Sequence, residues 1–319
     1  MQRILFMWVV LAFISAVCLG FYDVSKKIAL EKNRVVDVLT ISVGVSALFL
    51  SVPLLLSRLF PEAMSGTYAY VPEMDMEAHL FTLLKSVIVL SSWIFAYISL
   101  KHLPISVVSP MQATRPMWTL IGALLIFQEH LNGWQWIGVL LAIGSIFIFS
   151  FKSHRRHRKD PNYQKGQNRL YYICLALAIL IGACSGLYDK YLMRSYNHNA
   201  VQVYYTLYQA LMMIIVWVAF NRKSSIFNHK SSIFTHHSVN HLGVIVLISL
   251  FLIISDNVYM LALRDPDSLI AVVSTIRRGG TVIGFAYGIM FLKEPKVWRK
   301  VLCMSGVLAG LICLAMGSI

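Results

Sequence analysis

Along this chain, apolar stretches of about 20 residues follow one another, separated by short polar or charged segments. A run of that length crosses a bilayer as an α-helix. Bounding the runs by charges, Pro or Asn predicts ten spans, at 4–30, 36–58, 80–100, 104–127, 133–151, 170–193, 200–220, 240–262, 267–292 and 297–317. The first continues past Asp23 because apolar positions resume at Ile28, Ala29 and Leu30. Three segments are too polar for the membrane: 60–79 with its acidic residues, the strongly basic 152–169, and 221–240 with His229, His236 and His237. The opening MQRILFMWVVLAFISAVCLG superficially resembles a signal peptide, but no small-residue cleavage site follows, so it is read as the first span.

Composition agrees with that pattern and narrows the classes. The 319 residues are 58% hydrophobic and 13% charged, against about a quarter charged in soluble domains. A soluble fold is excluded, and no polar segment is long enough to bury the core of an anchored enzyme. Cys18, Cys174, Cys184, Cys303 and Cys313 lie in apolar runs without metal-site or disulfide spacing and read as packing residues. The histidines of the third polar segment, with His241, lack supporting cysteines or carboxylates, so a solvated loop is expected and no metal. There is no Walker loop, HExxH or GxSxG, so ATP-driven transport and common hydrolase chemistry lack support and no cofactor is expected.

A formal charge of +14 would suggest nucleic acid in a soluble protein. Here it is a topology signal, and no nucleic-acid partner is expected. Loops after the odd-numbered spans hold 19 Lys and Arg, while the opposite side holds Arg3, Arg58, Arg194 and Arg264. The bias predicts both termini outside and the 152–169 linker in the cytoplasm; a bacterial inner membrane is the expected location.

The halves repeat. Residues 104–130 align without gaps to 269–295, matching Ile105, Val107, Val108, Ser109 and Glu129 to Ile270, Val272, Val273, Ser274 and Glu294. Tyr22-Asp23 in the first span corresponds to Tyr188-Asp189 in the sixth. Five spans per half, an odd number, give the halves opposite orientations: an all-α membrane fold of two inverted repeats, 1–151 and 170–319, joined by the linker. Helix, Glu, short turn and final glycine-containing helix, repeated twice, resembles the drug/metabolite transporter superfamily, in particular its EamA-type members. Gly20-Phe21-Tyr22-Asp23 occupies the place of that family's Trp-Gly-Ser-Asn-like element, and Arg115-Pro116 that of a fourth-helix Pro. The resemblance implies a secondary transporter, not an enzyme, for a small-molecule substrate in the bilayer, as monomer or homodimer.

Ionisable groups inside a membrane mark functional sites by default. The spans hold Asp23, Lys26, Lys27, Arg115, Asp189, Lys190, Asp256, Arg277 and Arg278. Asp23 with Lys26 or Lys27 has the spacing of a local helical pair. Lys26, Lys27 and Lys190 can reach an interface, whereas the three arginines lie deep in their spans and carry a planar fork suited to carboxylate or phosphate. Adjacent Arg277 and Arg278 point about 100° apart, so one faces the pathway and the other pairs with Asp256 or Asp189. The expected substrate is therefore an anionic or zwitterionic metabolite, moved by alternating access. Arg115, Arg277, Arg278, Lys27, Tyr22, Tyr188 and Trp93 are the candidate binding residues. Asp23, Asp189 and Asp256 are the candidates for ion or proton coupling. A lipid-phosphate flippase and a cationic drug exporter are the alternatives. Gly306 and Gly310, four apart, allow close packing within the chain or across a dimer.

Overall fold

The computed structural model describes residues 7–30, 33, 35–102, 114–157, 168–226, 242–280, 282–283, 286–287 and 297–317. Apart from a single turn at Pro61–Met64, the helices are α1 (Met7–Leu30), α2 (Val35–Leu59), α3 (Met76–His102), α4 (Arg115–Ile126), α5 (Gly133–His157), α6 (Asn168–Ser195), α7 (His198–Ile226), α8 (Leu242–Arg264), α9 (Ile270–Arg278) and α10 (Val297–Gly317). Among the described residues every regular element is helical. Among the described residues six helices, α1, α2, α3, α6, α7 and α8, are long and apolar enough to cross a membrane. Side chains such as Leu48, Leu55 and Ile215 are exposed on their outer faces, where a bilayer supplies the apolar partner that water would not.

Most helices follow the predicted spans. Of the fourth and ninth, the described parts are α4, from Arg115, and α9, 270–278, and the remainder of those spans lies largely outside the described residues. Arg115 is thus the first residue of its helix, beside Pro116, and not the centre of a long one. Proline suits that position because its missing N–H is unpaired there anyway.

The helices pair across the halves. α1 runs along α8 and α3 along α6, α2 meets α7, α4 meets α9, and α5 packs along α10. Serine hydroxyls stitch these contacts. Ser15 donates to the Ser255 carbonyl at 2.8 Å and Ser255 to that of Ser15 at 3.0 Å, joining α1 to α8. Ser92 donates to Ala178 O at 2.9 Å, joining α3 to α6. Each such bond contributes about 0.6 kcal/mol in membrane helices. The α5–α10 seam depends on small residues: a Cβ on Gly310 would stand 2.8 Å from the Gly138 carbonyl and 2.7 Å from the Ala142 amide. Gly306 meets Ser145 in the same way, so these glycines serve a seam inside the chain.

Two charged groups hold the outer turns. Gln128 adopts a left-handed backbone (φ 51°) that ends α4 and turns the next residue back. Glu129, buried, then accepts the amides of Ile270 at 2.7 Å and Ala271 at 3.2 Å, capping the N-terminus of α9. Burial raises the Glu129 carboxyl above its ordinary value, and these two amide bonds oppose the rise. Lys190 is fully buried: its Nζ donates to the carbonyls of Leu263, Asp265 and Ser268 at 3.2, 3.1 and 2.7 Å, and to the Ser268 hydroxyl. An ammonium satisfied by carbonyls at the end of α8 closes the α8–α9 connection.

Candidate functional site

The site grows from residues on α3, α4, α6, α8 and α9. Lys85 of α3 forms a buried ion pair with Asp189 of α6 and lies over the Tyr205 ring, 4.6 Å from its centroid. Arg277 of α9 pairs with Asp256 of α8, and its guanidinium stacks on Tyr259 at 4.1 Å. Arg115 donates through Nη2 to the Ser92 hydroxyl at 3.0 Å, while its buried Nε finds no partner among the described residues. Arg115 lies in the field of Arg277 and Arg278, which repel it, and of Asp189, which attracts it. Asp189 likewise feels Asp256 and Arg277, so the two ion pairs and the third cation form one cluster.

Gly182 makes room for that third cation. A Cβ there would collide with the Arg115 guanidinium. In the alignment of the halves, Arg115 corresponds to Gly280 and Gly182 to Ala16. The corresponding contact is backbone on backbone, since a Cβ on Gly280 would meet the Ala16 carbonyl. One half thus closes tightly where the other lodges a charge.

Beside the cluster lies a narrow cleft lined on three helices by Val43 and Ser46, by Gln202, Tyr205, Thr206 and Gln209, and by Leu252, Ile253 and Asp256. The 68–70 segment is tied to α7 and α8 by side-chain hydrogen bonds. Tyr68 donates to Asn257 Oδ1 at 2.5 Å, and Asn199 donates to the carbonyls of Tyr68 at 2.5 Å and Tyr70 at 3.3 Å. Asn257 in turn donates to Asn199 Oδ1 at 3.0 Å and Gln202 Oε1 at 2.7 Å.

A comparison of the sequence with family models bears on the class. Residues 6–151 match the EamA-like transporter family. The match is consistent with the drug/metabolite transporter superfamily and, with the six apolar helices among the described residues, supports an integral membrane protein. No curated protein matches the sequence. Among 27 matching solved chains, one crystal structure superposes with a TM-score of 0.69 over 97% of this chain and 97% of its own, at 9% identity. At that identity the likeness concerns the fold alone.

Set on this EamA-like framework, the residues expected from sequence separate. Arg115, Arg277, Asp189 and Asp256 come together, and Arg277 takes Asp256 as expected. Asp189 pairs with Lys85 and not with an arginine. Arg278 stands within the field of Asp23, which is exposed on α1. Tyr22 is buried among Ala29, Val38, Ile245 and Ile248, with Lys26 over its ring at 5.4 Å. Trp93 packs on Leu39, Leu90 and Met213. Tyr188 donates to Phe81 O at 3.1 Å and stacks on Tyr191. The Lys27 side chain, Glu294 and the histidines of 229–241 lie outside the described residues.

Sequence reasoning misses Lys85 and the cleft. Lys85 is a charge five residues inside an apolar run and belongs among the membrane charges. Gln202, Thr206 and Gln209 stand at i, i+4 and i+7, a polar stripe on one face of an otherwise apolar helix. Both signals are readable in the residues.

Proposed function

We propose that this chain is a secondary transporter of ten spans in two inverted five-helix repeats, moving a small anionic or zwitterionic metabolite by alternating access. The helix pairings favour the repeat, because exchanging the halves turns α1–α8 into α6–α3 and returns α2–α7, α4–α9 and α5–α10 to themselves. Arg115 carries the substrate reading. Lys85 and Arg277 each hold a carboxylate, whereas Arg115 has no carboxylate partner among the described residues. A half-buried guanidinium whose Nε finds no partner among the described residues, beside two other arginines, is balanced when an organic anion arrives. Cationic solutes fit less well, since Asp189 and Asp256 are already paired. The coupling role falls to those two aspartates and to Asp23.

Small carboxylates and phosphates should raise the melting temperature of the detergent-purified chain, while matched cations and neutral sugars leave it unchanged. A shift confined to cations would overturn the reading. The orientation, with both termini outside and the 152–169 linker in the cytoplasm, rests on the basic-residue bias. Single cysteines placed in the linker of a cysteine-free background should resist an impermeant thiol reagent in intact cells; labelling from outside would reverse the assignment.

A further inference from the structure

The cleft between α2, α7 and α8 is continuous with the ion cluster through two of its lining residues: Tyr205 lies beneath Lys85, and Asp256 holds Arg277. Its hydrogen-bonding groups are not all used. Gln209 is 3% exposed, lines the cleft, and its Nε2 donor finds no partner among the described residues. Leaving such a donor buried and unpaired is unfavourable, and an acceptor from a ligand would relieve it. Ser46 and Thr206 have committed their protons, to Ser42 O at 2.9 Å and Gln202 O at 2.8 Å, so toward a ligand their oxygens can only accept. Asp256 adds a carboxylate whose charge Arg277 already offsets.

One orphan donor beside several acceptors matches a group that both accepts and donates. An aliphatic hydroxyl does both. An ammonium cannot satisfy Gln209, because it has no acceptor. We propose that this cleft binds the hydroxyl-bearing part of the transported solute, so that the substrate is a hydroxylated organic anion and not a zwitterion, with Gln209 as the specificity-determining donor. The inference rests on the reading of Arg115 as the anion site.

Matched probes separate the two claims. The full chain, purified in detergent, is titrated by thermal shift with propyl phosphate, glycerol 3-phosphate and 3-aminopropyl phosphate, and with propionate, glycerate and β-alanine. In at least one series the hydroxylated member should bind about tenfold more tightly than the plain anion, the value of one or two net hydrogen bonds. The amine should bind no better than the plain anion. Gln209→Leu should remove most of the hydroxyl preference. Equal binding of plain and hydroxylated anions, preference for the amine, or an unchanged preference in Gln209→Leu would overturn the cleft assignment while leaving the anion site standing. Binding of no probe would remove the anion site and the cleft together. The wild-type comparison needs no variant, so the cleft assignment stands or falls on it even where a Gln209→Leu chain does not fold.

Discussion

Replacing Arg115 by Gln should weaken binding of an organic anion by about 10- to 150-fold, the worth of one charged hydrogen bond at roughly 1.5–3 kcal/mol. The direction of the accompanying stability change makes this informative. Arg115 has no carboxylate partner among the described residues and is repelled by Arg277 and Arg278, so removing its charge relieves repulsion. The melting temperature of the unliganded Arg115→Gln protein should therefore hold or rise while its anion response disappears. Arg115→Lys should recover only part of the response, because an ammonium supplies charge without the bidentate fork. A variant that keeps the full anion response would remove Arg115 from the site. One that melts well below the wild type would make it a structural residue.

The second large effect lies in the Lys85–Asp189 pair, and there stability should fall. Either Lys85→Met or Asp189→Asn alone leaves a buried charge without its partner, a loss of about 3–5 kcal/mol in soluble proteins. Both variants should show reduced folded yield by size-exclusion chromatography and a lowered melting point. Lys85→Met combined with Asp189→Leu should recover most of that loss, since replacing a whole buried pair by apolar side chains is close to neutral. Transport by the double variant then separates the roles. A folded protein that binds the anion but no longer accumulates it against a gradient assigns the pair to coupling. Full transport would make the pair structural, and failure of the double variant to refold would show that the two residues act separately.

Arg115 and Lys85 also mark how far residues can be read before the fold. Arg115 is identifiable because a permanent charge inside an apolar run has few explanations. Its freedom from a carboxylate is not, since that depends on where Ser92, Gly182, Asp189 and Asp256 lie in space. Lys190 makes the opposite case. By sequence it is a lysine able to extend to an interface; in the fold it is sealed under the α8–α9 turn, because four oxygens from residues 263–268 replace its water. A place beside a turn marks Glu129 as structural, and the cap it forms on α9, in the other half of the chain, gives the reason.

What the amino-acid sequence determined by itself is what the bilayer imposes on any chain. Hydrocarbon offers backbone groups no partner, so membrane-crossing runs must be apolar and helical, and they announce themselves by length and composition. The duplicated Val-Val-Ser and Tyr-Asp elements are visible for a similar reason, since repeated packing demands repeated residues. Which charges pair was decided only by tertiary structure. Lys85 meets Asp189 across 104 residues and Arg277 meets Asp256 across the α8–α9 turn. At such depth a charge is governed by its nearest neighbours in space, because no water screens it, and sequence spacing orders neighbours only within a single helix.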